Sequence, residues 1–315
     1  MWKRIRKIST IMIALCLILG LNVLPVNADS NQSNAGAFPA QRSGPPIGFN
    51  PVTASDATLK EYGFPARPSD PTALQEWDGV MQHAQNYVAP VPIQSATSFS
   101  PNFNGNPYAS EAGYAVLSSQ NPELGQFNEA YGQWTQTASA EQVGYWIGLG
   151  GMTPGDNQDL VQAGAVSGVP QNIKNKWGLT SSYAFFVEDY DTIHKLPPTY
   201  LATPVVNAGN IVYVYLQYNG STSEAFLLNE STNYYTWFNF NSPYYNGDSV
   251  AYMYEPTLGN PPKINPSQFS ECWFESTTTG LSLFTNYIYY EYEIGVEAYP
   301  GPASNASFIM YSPGQ

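Results

Sequence analysis

From about residue 109 onward the chain predicts an all-β domain, a sandwich or a barrel, and three observations predict it. Runs of β-branched and aromatic residues recur: Ile211-Val212-Tyr213-Val214-Tyr215-Leu216, Tyr234 to Phe240, and Phe308-Ile309-Met310-Tyr311. Asn219-Gly220 follows the first run and Ala225-Phe226-Leu227-Leu228 resumes it, a hairpin signature. Ile288, Tyr290, Tyr292, Ile294, Val296 and Ala298 alternate with Tyr289, Glu291, Glu293, Gly295 and Glu297, which reads as one long half-buried strand. Strands divided by Gly, Asn and Pro turns over about two hundred residues fit one large β domain.

The segments before it read differently. Lys3, Arg4, Arg6 and Lys7 precede an apolar run from Ile8 to about Leu24, and Val26-Asn27-Ala28 supplies small residues for cleavage. Residues 1–28 are therefore expected to be a signal peptide, with a membrane anchor as the alternative because the run reaches spanning length. The exported protein is expected to be secreted, extracellular and monomeric. Residues 29–50, rich in Ser, Asn, Gly and Pro, are expected to be disordered. Ser55 caps a short helix through Lys60 that stops at Gly63 and Pro65. Asp70-Pro71 starts a second, on which Leu74, Trp77, Met81 and Ala84 recur at helical spacing up to Tyr87. Residues 89–108 hold four prolines and no charge, the composition of an exposed, cleavable linker. The expected division is a signal over 1–28, a helical prosegment with its linker over 29–95, and the β domain over 96–315.

Charge and cysteine narrow the chemistry. Beyond residue 28 seven Lys and Arg face 24 acids, a net charge of −17. Such a surface disfavours nucleic acid and anionic membrane as partners, and fits solubility or life in acid. Cys16 leaves with the signal, so Cys272 stands alone and no internal disulfide forms. His83 and His194 are the two histidines, too few for a His-rich zinc site, and no GxSxG elbow accompanies them. Neither Asp191-Thr192 nor Asp248-Ser249 continues into glycine as paired aspartic-peptidase segments do. Asp189 and Asp191 read as a solvated turn rather than a calcium loop. GLGGMTPG (148–155) fits no nucleotide fingerprint. No cofactor and no metal are expected. Carboxylates and amides remain, and they suffice to drive water onto a peptide carbonyl. In SECWFE (270–275), strand alternation puts Glu271, Trp273 and Glu275 on one face, with Cys272 and Phe274 on the other.

YWIGLGG (145–151), LVQAG (160–164) and SECWFE in this order resemble the glutamic peptidases, or eqolisins. GFNPVTASDATLKEYGFPARP (48–68) is similar to the propeptide of bacterial members, and SEAGYAV (110–116) and FNEAYGQWTQ (127–136) to the opening strands. The resemblance spans most of the exported chain. It implies a lectin-like sandwich of two antiparallel sheets with a catalytic dyad on one concave face. It implies Gln162 and Glu275 as that dyad, Glu275 activating a water and Gln162 holding the oxyanion, with Trp146 lining the site, Glu188 in the cleft and Glu271 at its rim. Gly150 and Tyr183 depart from the acids the family often carries there.

The function so implied is a secreted, self-processing, acid-active endopeptidase of the pepstatin-insensitive type, acting on proteins or peptides. Lys60 and Arg67 of the prosegment are expected to pair with cleft carboxylates. Without the resemblance, Gln162 and Glu275 read as solvated strand residues and Trp146 as core. The alternatives are a sandwich that stacks sugar on Tyr234, Tyr235, Trp237, Tyr244 and Tyr245, a glycosidase using Glu271 and Glu275, and a weakened peptidase homologue.

Overall fold

The computed structural model describes residues 38–94, 111–153, 159–169, 171–177, 179–190, 197–256, 262–293 and 298–312. The signal segment, most of the linker, and His194 with Asp191 lie outside them. Two helices come first, α1 (Asp56–Glu61) and α2 (Pro71–Met81), and α3 (Gln171–Trp177) follows much later. The strands are β1 (Asn86–Tyr87), β2 (Pro92–Gln94), β3 (Ala112–Leu117), β4 (Phe127–Thr135), β5 (Val143–Leu149), β6 (Leu160–Ser167), β7 (Tyr183–Tyr190), β8 (Thr199–Leu201) and β9 (Ile211–Tyr218). They continue as β10 (Thr222–Asn229), β11 (Tyr234–Asn241), β12 (Ser249–Pro256), β13 (Ser267–Ser276), β14 (Ser282–Leu283), β15 (Tyr289–Tyr292), β16 (Tyr299–Pro300) and β17 (Phe308–Tyr311).

The strands form two sheets. The first runs β1-β11-β10-β9-β4-β13-β17-β16, with β14 beside β13, and the second runs β15-β3-β12-β5-β6-β7-β8-β2. All pairings are antiparallel except β1 with β11. The sandwich implied by the resemblance is thus the observed architecture. Alternate residues of both sheets meet between them: Ile147, Val161 and Phe185 from the second, Val214, Leu227, Cys272 and Phe274 from the first.

Each sheet also buries its outer face. Over the first sheet, Leu59, Phe64, Trp77, Val80 and Met81 of the N-terminal segment pack on Tyr131, Tyr213, Tyr215, Phe226, Tyr235 and Trp237. Full burial of each such apolar side chain stabilises by roughly 1.5–3 kcal/mol. On the outer face of the second sheet, Trp146, Leu160, Phe186, Tyr200, Ala251 and Met253 form a separate cluster that includes Ile93, Met152 and Val169.

Both helices start at the expected caps. Ser55 Oγ accepts from Thr58 N, and Asp70 accepts from Thr72 N and Ala73 N with Pro71 at the first turn. The β9–β10 hairpin turns at Asn219-Gly220, where Gly220 has φ +85°. Four expectations are corrected. The second helix ends at Met81 rather than near Tyr87, because Asn86 and Tyr87 pair with β11. Residues 38–50, expected to be disordered, are held: Phe38 packs edge-on against Phe238, Gln41 Nε2 donates to Asn239 O at 2.9 Å, and Arg42 pairs with Glu224. The start of the expected linker is a strand, since β2 pairs with β8 and buries Ile93. The 288–298 run is not one strand. Tyr289–Tyr292 forms an exposed edge on the second sheet, and Tyr299-Pro300 joins the first. β15 ends the second sheet with β3 as its hydrogen-bonded neighbour among the described residues, so its other side is an open edge.

Candidate active site

Gln162, Trp146 and Glu188 come together on the outer face of the second sheet. Gln162 lies opposite Gly148 of β5 on one side and Glu188 of β7 on the other. Its neighbours Val161 and Ala163 point into the inter-sheet core, so period-2 alternation turns Gln162 outward. The same alternation turns Glu188 outward beside Val187, and Glu255 outward beside Tyr254. All three are sealed: Gln162 and Glu188 are each 3% exposed and Glu255 is 4% exposed.

Hydrogen bonds organise the cluster. Gln162 Nε2 donates to Glu188 Oε2 at 2.7 Å. Trp146 Nε1 donates to Glu255 Oε2 at 3.0 Å. Glu255 lies opposite Gly144 and Gln162 opposite Gly148, with Trp146 between them on β5. A Cβ on Gly148 would stand 2.8 Å from Trp146 Cζ3, so the indole lies over that glycine. The ring therefore bridges the two sites: its nitrogen end holds Glu255 and its benzenoid edge reaches the residue beside Gln162. Gln162 Oε1 and Glu188 Oε1 are buried and have no hydrogen-bond partner. Buried polar atoms left unpaired are costly and mark functional positions.

Electrostatics follow from burial. Desolvation pushes the Glu188 carboxyl well up; the charge of Glu255 adds to this and the Gln162 amide offsets part of it. Burial raises Glu255 to about 8, against which the Trp146 hydrogen bond works. Glu111, next to Ala112 at the start of β3, is likewise buried and raised, first by desolvation and then by Glu255. Among the described residues no group of three or more His, Cys, Asp or Glu is placed to hold a metal ion.

Glu275 and Glu271 are elsewhere. Glu275 pairs opposite Glu129, and Trp273 opposite Tyr131, on the outer face of the first sheet. Glu271, Trp273 and Glu275 do share a face, but the thickness of the sandwich, about 10 Å between sheets, separates them from Gln162. The expected pairing of Gln162 with Glu275 is corrected on that ground. Glu271 occupies a bulge at φ +54°, accepts from Trp273 Nε1 at 3.3 Å, and lines a groove with Trp77 and Val80 of α2. Burial, reinforced by Glu76 of α2, raises Glu271 to about 7. Burial and then Glu129 raise Glu275 to about 7.

The helices thus cover the first sheet, on the far side from Gln162. Lys60 and Arg67 line a cavity of about 600 Å³ with Arg42, Glu129 and Gln217. Arg67 pairs with Asp56, its helical neighbour, not with Glu188 or Glu255. The aromatics expected to stack sugars form no common platform. Tyr235 and Trp237 are each 1% exposed, Trp237 Nε1 donates to Gly63 O, and Tyr245 packs tilted against Tyr218. Asp189, read as part of a solvated turn, is a buried residue of β7.

Glu255 is the residue missed from sequence. Its signal was a lone acid closing a strand otherwise made of Ser, Val, Ala, Tyr, Met and Pro.

No family model matches the chain and no curated protein matches it. Solved structures do. A scytalido-glutamic peptidase with a transition-state analogue inhibitor aligns with TM-score 0.49 and 11% identity, over 64% of this chain and 98% of that one. SCP-B, a member of the eqolisin family of peptidases in complex with the tripeptide Ala-Ile-His, aligns with TM-score 0.45 and 12% identity over the same shares. A bacteriophage CBA120 tailspike domain aligns with TM-score 0.26 over 29% of its own length. At these levels the likenesses assign no residue a role.

Proposed function

We propose that the protein is a glutamic-type endopeptidase whose dyad is Gln162 and Glu255. The observation that carries this is the arrangement on one buried sheet face: an amide and an indole, each bonded to a carboxyl, beside unpaired acceptor atoms. Glu255 as carboxylate takes a proton from water, and the water oxygen bonds to the scissile carbonyl carbon. Gln162 Nε2, turning from Glu188, donates to the oxyanion. Glu255 then returns its proton to the leaving nitrogen as the C–N bond breaks. Trp146 holds Glu255 in place, and Glu188 orients the Gln162 amide.

The described state is latent under this mechanism. With Glu255 raised to about 8, acid leaves it protonated where a carboxylate is needed. Hydration of the face returns the group toward the ordinary carboxylate range and permits activity in acid. Secretion through residues 1–28 and cleavage within 89–108 complete the proposal. Its support is the composition of those segments.

The test is cleavage of a denatured protein near pH 3 by matured wild type, Glu255→Gln and Gln162→Ala. Loss in both variants with the fold retained is expected, and full activity in either ends the proposal. Incubation of the whole chain at that pH should yield a product starting in or just after 89–108. A chain that stays intact contradicts self-processing.

A further inference from the structure

Glu111 has no part in the dyad, yet it is placed against it. The β3–β12 register sets Ala112 opposite Tyr254, so the next pair outward sets Glu111 opposite Glu255. Both turn to the outer face, because Ala112 and Tyr254 point into the inter-sheet core. Directly opposed residues hold their Cβ atoms about 4.5–5.5 Å apart. Glu111 is 6% exposed and its Oε2 atom is buried without a hydrogen-bond partner. The two ion pairs among the described residues, Arg42 with Glu224 and Arg67 with Asp56, involve the N-terminal segment, so neither supplies a countercharge here.

We infer that Glu111 is a positioning acid of the Glu255 site, keeping its proton so that Glu255 alone of the pair carries the negative charge. The inference rests on the assignment of Glu255 as the base. Two carboxyls this close in a buried site do not both ionise readily, and the second proton is held far more tightly than the first. Glu255 already has a donor in Trp146 Nε1, whereas the buried Oε2 of Glu111 has none. The first charge therefore settles on Glu255 and the retained proton on Glu111. The raised state of Glu111, with Glu255 as its second cause, agrees with that order. The other titratable groups on this face among the described residues are Glu188 of β7, itself held toward its neutral form, and the phenols of Tyr190 on β7, Tyr200 on β8 and Tyr290 and Tyr292 on β15. The pair thereby gains an upper pH limit: ionisation of Glu111 puts a second charge beside Glu255 and stops turnover.

The variant that tests this is Glu111→Gln, which mimics the protonated acid in shape and charge. The matured variant should keep wild-type kcat/KM near pH 3, while the falling alkaline limb moves up by at least one pH unit, about a tenfold gain in its steep region. Glu111→Asp should restore the wild-type limb. A merely structural role would lower Tm without moving the limb. Carbon-13 carboxyl spectra read the pair directly: Glu255 should titrate in two steps in wild type and in one step in Glu111→Gln. The two-step titration tests the inference in wild type even where the variant does not fold. Coincident pH profiles, or a single wild-type step, overturn the role of Glu111 provided Glu255→Gln is inactive. An active Glu255→Gln overturns the dyad instead.

Discussion

Replacing Glu271 by Gln should make stability less dependent on pH, through the contact between α2 and the first sheet. Glu271 is half-buried against α2, in a groove with Trp77 and Val80 and near the charge of Glu76. Burial and Glu76 raise it from 4.5 to about 7. The folded protein therefore binds a proton there that the unfolded chain releases between those values. The stability so gained is fully present below 4.5 and is lost as pH rises through 7. A displacement of that size corresponds to about 3 kcal/mol, and residual solvent screening brings it to about 2–3 kcal/mol. Gln keeps an acceptor for Trp273 Nε1 but cannot ionise. Urea unfolding of the whole chain at pH 4 and pH 8 is the assay. Glu271→Gln should match wild type at pH 4 and exceed it by about 2–3 kcal/mol at pH 8. Equal differences at the two pH values would refute the carboxyl contact as the cause. The sign carries a consequence: acid fastens the helical unit to the first sheet instead of loosening it.

Three further outcomes follow from the same geometry. Trp146→Phe keeps the buried ring but removes the donor to Glu255, so it should cost about 1–3 kcal/mol in thermal or urea unfolding and raise the Glu255 carboxyl further. Gly148→Ala places a methyl 2.7 Å from Leu160 Cδ1 and 2.8 Å from Trp146 Cζ3. It should destabilise by about 1–3 kcal/mol and reduce kcat more than it raises KM, as seen in steady-state kinetics. Phe64→Ala empties a site packed by Phe226, Tyr235 and Trp237, and should cost about 3–5 kcal/mol, read as faster proteolysis of residues 38–94.

The fold was legible because its signals are local. Caps at Ser55 and Asp70, the turn at Asn219-Gly220, and the aromatic runs of β9, β10, β11 and β17 all state their structure within a few residues. Gln162, Trp146 and Glu188 were legible only through the family resemblance, and the register of β5, β6 and β7 brings them to one face. The second acid was not legible. Glu275 and Glu255 both alternate outward from a strand, and only the pairing order puts β12 beside β5 and β13 beside β4. That order is a property of the whole sandwich, not of any segment. The placement of the helical unit was hidden for the same reason. Phe64 and Trp77 announce an apolar face, but not which sheet receives it. The 288–298 alternation misled because such a pattern does not say where a strand ends: Tyr289–Tyr292 pairs with β3, whereas Tyr299-Pro300, just past the run, pairs with β17.

The most direct test sets the two acids against each other. Matured Glu255→Gln and Glu275→Gln are each assayed for cleavage of a denatured protein near pH 3, with circular dichroism as the check on folding. Glu255→Gln should lose at least a thousandfold in kcat/KM, about 4 kcal/mol of transition-state stabilisation, while Glu275→Gln stays within a few fold of wild type. The reverse pattern, with Glu275 essential and Glu255 dispensable, would contradict the assignment of the second sheet's outer face as the catalytic surface.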